Sequence, residues 1–376
     1  MTDGTAASAA PQAQRRTRVR YGILLLIFLL TTINYADRAT FSIAGDAASR
    51  DLGLSPVEMG YIMSAFAWAY VIGQIPGGVL LDRFGTKIVY TLAIAAWSLF
   101  TLLQGFSGFL TGGLIFAGLF AMRFMVGLAE SPSFPGNARI VAAWFPGSER
   151  GTASAIFNSA QYFSLVVFAP FMGWLVHTFD WHSVFFVMGG LGLLAALVFW
   201  KMVHSPIQHP RIGKAELDYI EAGGGLIRME DRTISKSAAF TWDNVRQVLG
   251  SRMLMGEYGI NVLTYFFVTW FPIYLVKERG LNILEAGFAA AAPALCGFVG
   301  GVLGGVISDA LLKKTGSLTI ARKTPLLIGM VLSALIIACA YIDHSGLIIL
   351  VMALAFFGKG IASLGWAVVS DTSPRE

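Results

Sequence analysis

Ten apolar stretches divide this sequence, and each is long enough to cross a lipid bilayer. A helix needs about twenty predominantly apolar residues to span the hydrocarbon core, and inside lipid it satisfies its own backbone hydrogen bonds. The sequence therefore predicts an all-α, polytopic membrane protein. The predicted spans are 21–43, 57–80, 88–106, 110–134, 152–176, 182–203, 253–275, 284–308, 325–342 and 346–369.

The composition agrees with a chain that lies in lipid. Hydrophobic residues make up 56% of the chain and charged residues 13%, about half the charged share that is usual in soluble domains. A soluble enzyme, a secreted disulfide-linked domain and a disordered chain are therefore excluded. The first span continues past twenty residues and carries Asp37 and Arg38, so we interpret it as a retained helix rather than a cleaved signal peptide.

Basic residues are distributed unevenly between the two sides of these spans. Most of the 27 lysines and arginines lie in the N-terminal tail, in the stretch 204–252 and in the loops on that same side. Loops rich in Lys and Arg stay in the cytoplasm, so we expect the N-terminus and the central stretch there. The net charge of +5 then follows from topology, and no nucleic-acid partner is expected.

The first part of the chain recurs in the second part at an offset of 227 residues. Two parallel halves of six helices form a transporter architecture in which the central site lies between bundles that rock against each other. The second half contains four of its six helices, and we expect the last two to be missing from this chain. Matching positions are Asn34 and Asn261, Gly78 and Gly305, and Asp82 and Asp309.

These patterns predict four segments. They are a cytoplasmic N-terminal tail (1–20), an N-terminal six-helix bundle (21–203), a cytoplasmic central loop (204–252) and a C-terminal bundle with four of six helices (253–376). The central loop is mixed in charge and contains a helical patch from Lys214 to Glu221. We expect this loop to be a solvated connector between the halves.

The loop between the second and third spans resembles the signature loop of the major facilitator superfamily. Its glycines are expected to permit close helix approach, and its aspartate to accept hydrogen bonds from a neighbouring helix terminus and an arginine. Such a contact would latch the halves in one state and break in the other; a loop charged only for topology is the alternative. The residues concerned are Gly78, Asp82, Arg83, Gly85 and Lys87, with Asp309 in the second half.

Longer segments resemble the anion:cation symporter family, and within it bacterial glucarate/galactarate transporters. These segments are 34–40, 64–68, 74–78, 129–137, 215–220 and 356–360. The resemblance implies a major facilitator fold and proton-coupled uptake of a sugar acid across the bacterial inner membrane. We expect D-glucarate or galactarate as the substrate, a monomer, and no cofactor besides the proton. A related monocarboxylate (galactonate or a hexuronate) and, less favoured, proton-driven export are the alternatives.

Two acids inside the predicted spans, Asp37 and Glu130, form a candidate proton-carrying pair. An ionised side chain at a helix centre costs about 2.5–3.5 kcal/mol on insertion scales, and such residues usually face a partner or a watery cavity. Two neighbouring carboxylates in low dielectric cannot both ionise cheaply, so a proton can travel with the substrate. The family resemblance points to the same two positions. The alternative is that each acid pairs permanently with an arginine.

Three buried cations complete the predicted site. Arg38 offers a planar fork suited to a substrate carboxylate, unless it forms an internal salt bridge with Asp37 or Glu130. We expect Lys359 to meet the second carboxylate of a C6 aldaric acid; snorkelling to the membrane surface or pairing with an acid on a missing helix is the alternative. Arg123 shares a helix face with Glu130, and we expect it to be a structural anchor rather than a ligand.

Polar side chains within the spans are candidates for recognising substrate hydroxyls, although a helix–helix hydrogen bond explains each equally well. They are Tyr35, Tyr70, Asn158, Gln161, Asn261, Tyr265, Ser363 and Trp366. The chain has no His-Glu-x-x-His, Gly-x-Ser-x-Gly or Walker sequence and no cysteines at metal-ligand spacing. We therefore expect no catalytic residue, no metal and no ATP-driven step.

Overall fold

A computed structural model describes residues 17–229, 283–342 and 344–364, and within these ranges the chain forms helices and no strands. Short 3₁₀ helices lie at Ser107–Phe109, Pro206–Gln208 and Leu335–Tyr341. The α-helices are α1 (Val19–Leu52), α2 (Pro56–Phe84), α3 (Thr86–Gln104), α4 (Gly113–Glu130), α5 (Ser133–Trp144), α6 (Arg150–Thr178), α7 (Trp181–Met202), α8 (Lys214–Ala222), α9 (Ile283–Thr315), α10 (Leu318–Ala334) and α11 (Ser345–Ile361).

The described helices confirm the prediction of an all-α protein that crosses the membrane several times. Eight helical segments are long and apolar enough to span it, with α4 and α5 together forming one of them. Helix α11 is apolar but shorter. The predicted spans 253–275 and the end of 346–369 lie outside the described residues.

Helix boundaries differ from the predicted spans. The spans were predicted from apolar residues, and a helix can extend past its apolar stretch or break within it. Helix α1 continues to Leu52, nine residues beyond the apolar stretch. The fourth span is interrupted at Ser131 and Pro132, after which the chain resumes as α5. In the second half, α10 starts at Leu318 and tightens into a 3₁₀ helix at Leu335.

Packing joins the halves mainly through α6 and α9. Within the first half, α2 packs on α4, α3 on α4 and α7, and α1 on α6 and α7. Helix α6 also lies along α9, which in turn packs against α11. Because α9 packs on α6, this contact places residues of both halves side by side.

The described part of the central loop, 204–229, is exposed or partly exposed at most residues but includes a helix that docks on the first half. Its role as a solvated connector stays a prediction. The helical patch is confirmed as α8, but its Glu216 is fully buried at the N-terminus of α1. The carboxylate accepts hydrogen bonds from Thr17 Oγ1 (2.6 Å), the backbone N of Val19 (3.0 Å) and Arg20 Nη1 (3.0 Å). An acid at a helix N-terminus is stabilised by the helix dipole, so the loop docks where α1 begins.

A second acid reinforces this docking. Glu149 accepts from Arg20 Nε at 3.1 Å and from the hydroxyl of Tyr219 at 2.7 Å. The hydrogen bond to Glu149 raises the pKa of Tyr219. The backbone adds Gly147 N to Gly223 O at 2.9 Å. These contacts fix α8 to the first half.

Candidate functional site

Helices α1 and α4 bring four ionisable side chains together inside the first half. Asp37 and Glu130 are 0% exposed, and Arg123 is buried beside them. Arg38 Nε donates to Glu130 Oε2 at 2.8 Å, while Glu130 Oε1 has no hydrogen-bond partner within the described residues. The predicted cluster is therefore assembled as a compact group, with one ion pair already formed.

The carboxyl group of Asp37 is fully buried, like that of Glu130. Its electrostatic neighbours are Arg123 and Glu130 from α4, and the indole of Trp97 from α3 faces it. Neither carboxyl oxygen has a hydrogen-bond partner in the described part of the chain. Burying an ionised carboxylate without hydrogen bonds is costly, so this position favours an acid that can carry a proton.

Arg123 ties α4 to α1. Its Nη2 donates to the carbonyl oxygen of Arg38 at 2.9 Å, and its Nη1 to that of Asp37 at 3.5 Å. The guanidinium also lies over the rings of Phe41 and Phe66, at 5.2 and 5.0 Å from their centroids. These contacts join α4 to α1, and the anchoring role of Arg123 stays a prediction.

Arg38 sits in an aromatic enclosure. Its guanidinium carbon is 4.7 Å from the ring centroid of Tyr35, 4.6 Å from that of Tyr70 and 5.2 Å from that of Phe66. Cations over aromatic faces are stabilised without losing their hydrogen-bonding edges. The side chain is 20% exposed, and Nη2 has no hydrogen-bond partner among the described residues. Tyr35 and Tyr70 thus lie beside the predicted carboxylate binder.

Lys359 is buried between the two halves, at 1% exposure. Its ammonium donates to the hydroxyl of Tyr162 and to Gln161 Oε1 at 3.4 Å, both on α6. It also lies 4.5 Å from the ring centroid of Tyr162. The snorkelling alternative is wrong, because this ammonium points into the protein. Tyr162 was not predicted: in sequence it is one more aromatic residue in an apolar span, and only its neighbour Gln161 gave a signal.

The remaining polar candidates have mixed surroundings. Asn158 is buried, and its Nδ2 has no partner among the described residues. Gln161 donates to the backbone oxygen of Asn158 at 2.9 Å, and Ser363 donates to that of Gly360 at 2.6 Å. Contacts with a substrate therefore stay a prediction for all three. Asn261, Tyr265 and Trp366 lie outside the described residues.

Asp309, the second-half counterpart of Asp82, makes the contacts that were predicted for a latch between the halves. Asp309 accepts from the backbone N of Gly151 at 3.1 Å and of Thr152 at 2.6 Å, at the start of α6. Arg322 donates to the same carboxylate at 3.0 Å. A Cβ on Gly151 would collide with this pair, so glycine is required there for the halves to meet.

Asp82, by contrast, bonds within its own half. It forms an ion pair with Arg139 on α5, and Arg83 and Lys87 lie against Phe84 and Trp200. The expectation of close helix approach at Gly78 is corrected, because an added Cβ there would meet nothing within 4 Å. Gly85 instead supplies φ of 81° for the turn from α2 to α3, a value that favours glycine.

Comparisons with known proteins agree on the family of this chain. The family model described as Major Facilitator Superfamily matches residues 27–376. The probable galactarate/D-glucarate transporter GudP of Bacillus subtilis is 59% identical over 98% of this chain and 82% of its own length. A D-galactonate transporter of Escherichia coli is 40% identical over 96% of this chain and 84% of its own.

Solved structures support the same fold. The proton:xylose symporter XylE, bound to 6-bromo-6-deoxy-D-glucose, superposes with a TM-score of 0.67 over 95% of this chain and 82% of its own. Its sequence identity is 15%, so the likeness concerns the fold alone. With a family model and close relatives that cover nearly the whole sequence, this chain belongs to the major facilitator superfamily.

Proposed function

We propose that this protein is a proton-coupled symporter that takes up a sugar-acid dianion, D-glucarate or galactarate, by alternating access. The observation that carries the proposal is the ion pair between the partly exposed Arg38 and the buried Glu130 (2.8 Å), beside the fully buried Asp37. The relative named as a probable galactarate/D-glucarate transporter, at 59% identity, supports the substrate class.

Anion capture begins at Arg38. Its Nε is held by Glu130, but its Nη2 has no partner among the described residues. A substrate carboxylate that binds the fork bidentately competes with Glu130 for the guanidinium. The aromatic rings of Tyr35 and Tyr70 keep the fork oriented while its partner changes.

Proton coupling follows from that competition. When substrate displaces Glu130 from Arg38, the glutamate becomes a buried carboxylate without its ion-pair partner, next to Asp37. Removing one partner from a buried pair costs about 3–5 kcal/mol if the charge remains. Taking up a proton removes that charge, so substrate binding and protonation favour each other.

The second carboxylate of the diacid is assigned to Lys359. This ammonium belongs to the second half, yet it contacts Gln161 and Tyr162 of the first. A substrate bound by Arg38 on one side and Lys359 on the other draws on both halves, and a ligand shifts a conformational equilibrium only through such differential contacts. Monocarboxylates lack this second interaction.

The proposed setting is the bacterial cytoplasmic membrane, with the N-terminus in the cytoplasm and the protein as a monomer without a cofactor. The basic residues Arg20, Arg139 and Arg322 pair with acids at one end of the helices. Loops rich in Lys and Arg mark the cytoplasmic side, which supports this orientation.

Uptake into proteoliposomes tests the proposal. Labelled glucarate, galactarate and galactonate are compared with and without an inwardly directed proton gradient. We expect gradient-driven accumulation of the two diacids and weak accumulation of galactonate. Preference for galactonate would favour the monocarboxylate alternative, which is supported by the 40% identity to a D-galactonate transporter. Loss of preloaded substrate when the gradient is applied would indicate an exporter.

A further inference from the structure

A row of buried polar side chains follows α3 away from Asp37. Trp97, Thr101 and Gln104 share one face of the helix, since residues four and seven positions apart lie above one another. Ser98 adjoins this face, and Ser107 follows it in the 3₁₀ helix after α3. All five are essentially inaccessible to solvent. We call these five residues the α3 polar file.

Each member of the α3 polar file has a buried polar atom with no hydrogen-bond partner among the described residues. The atoms are Trp97 Nε1, Ser98 Oγ, Thr101 Oγ1, Gln104 Oε1 and Ser107 Oγ. More than about 90% of buried polar groups in proteins are hydrogen-bonded, and an unsatisfied one costs about 1–3 kcal/mol. Five such atoms between residues 97 and 107 therefore require a shared explanation.

Backbone bonding within the helix does not provide it. Buried hydroxyls in helices usually donate to a carbonyl one turn back, as Thr91 does on the same helix, to Lys87 O at 2.7 Å. Thr101 and Ser98 do not do so. Opposite Ser98 lies Gly192 of α7, which has no side chain that could form a hydrogen bond.

The file connects two protonatable places. At its inner end the indole of Trp97 faces the carboxyl of Asp37. At its outer end, a Cβ on Gly108, next to Ser107, would lie 3.0 Å from His182 Nε2. His182 is partly exposed, and its Nδ1 is 3.6 Å from the exposed Asp180. From Trp97 to Gln104 the helix rises about 10 Å, a third of the hydrocarbon core.

We propose that the α3 polar file holds a row of internal water molecules that conducts protons between the surface at His182 and Asp37. Buried waters typically bridge two to four otherwise unsatisfied polar groups. The hydroxyls donate and accept, the indole donates and Gln104 Oε1 accepts, so water can be held at each turn. A proton enters the outer water, each water passes one proton inward, and the carboxylate of Asp37 gains one.

Charged groups that face Asp37 come from α4 and from its own helix. These are Glu130 and Arg123, with Arg38 adjacent on α1. After Tyr90, helix α3 has no ionisable residue up to its end at Gln104. Helix α7 has none between His182 and Lys201. A proton on this path meets no fixed charge before Asp37. This route also keeps protons apart from the anion at Arg38.

Apolar substitutions of matching shape test the file, which rests on the proposed proton coupling for its role in transport. In Thr101→Val and Gln104→Leu we expect the initial rate of proton-driven uptake to fall by about fivefold or more, with counterflow exchange unchanged. Thr101→Ser should restore the rate. Ser164→Ala is the matched control, because Ser164 Oγ on α6 is also buried without a partner in the described residues. Unchanged uptake in both apolar variants would overturn the conducting role.

A second readout detects the water itself and does not depend on transport. Brief radiolysis oxidises buried side chains that contact bound water, so Trp97 should be labelled in the native protein and the buried Trp144 should not. Thr101→Val with Gln104→Leu should abolish labelling of Trp97. If native uptake ignores the proton gradient but Trp97 is labelled, proton coupling fails and the water file stands. If Trp97 is not labelled, the file is wrong.

Discussion

Replacing Glu130 by glutamine tests whether this side chain carries the coupled proton. Glutamine keeps the shape of the side chain and an oxygen that accepts from Arg38 Nε, which is 2.8 Å from Glu130 in the native protein. It cannot bind or release a proton between pH 5 and 8. Because Arg38 also lies over Tyr35 and Tyr70, we expect the variant to fold with a loss of about 1–3 kcal/mol from the weakened charged hydrogen bond.

The expected effect on transport is larger and specific. One coupled proton driven by one pH unit supplies about 1.36 kcal/mol, a tenfold accumulation of substrate. Native protein in proteoliposomes should therefore accumulate glucarate about tenfold per pH unit for each coupled proton. Glu130→Gln should equilibrate the substrate without accumulation, while counterflow exchange persists.

A matched control distinguishes coupling from general damage. Glu149→Gln neutralises another acid that pairs with an arginine, Arg20 at 3.1 Å, but it lies at the helix ends. It should keep gradient-driven accumulation. If Glu130→Gln accumulates substrate as the native protein does, the proton does not ride on this residue and the coupling argument is refuted.

Three further substitutions test other parts of the structure. Lys359→Asn should lower glucarate uptake by about 30-fold or more and spare galactonate in the same uptake assay; equal losses would contradict the diacid assignment. Gly151→Ala should force Asp309 away from the start of α6. A cysteine introduced at the end of the helices where Asp309 meets α6 should then be alkylated faster. Unchanged alkylation would show that the Asp309 contact does not hold the two halves together at that end. Glu216→Gln should lower the free energy of unfolding by about 1–3 kcal/mol, measured as a lower Tm in detergent, with counterflow intact; an unchanged Tm would mean that its bonds to Arg20 add no stability.

Hydropathy and charge were sufficient to predict the membrane helices and the members of the charge cluster. An ionisable residue inside an apolar span has few acceptable environments, so Asp37 and Glu130 were identifiable from their positions alone. Their arrangement was not: only the structure pairs Glu130 with Arg38 and leaves the carboxyl of Asp37 without a hydrogen-bond partner in the described residues. That distinction depends on how α1 and α4 are rotated, which sequence spacing leaves open.

Features that depend on tertiary contacts could not be predicted from the sequence. The docking of α8 depends on two acids, the buried Glu216 and Glu149, and the segment around α8 has the composition of a solvated loop. Tyr162 became identifiable only once α11 placed Lys359 against it. The latch was predicted from the repeat, but which copy makes the inter-half contact required the structure: Asp309 binds the start of α6, whereas Asp82 pairs with Arg139.

The sequence repeat makes the asymmetry of the charges informative. At the 227-residue offset, Asp37 and Arg38 correspond to Thr264 and Tyr265, so the second half has neutral residues where the first has its acid and its guanidinium. In a pair of rocking halves, a charge cluster in one half responds to protons but does not by itself sense the position of the other half. A ligand that reaches from Arg38 to Lys359 supplies that connection, because its binding energy depends on both halves being close. Under the proposed function, protonation governs when the anion is bound and the anion governs when the halves meet. Coupling would then need a charge on each side of the substrate.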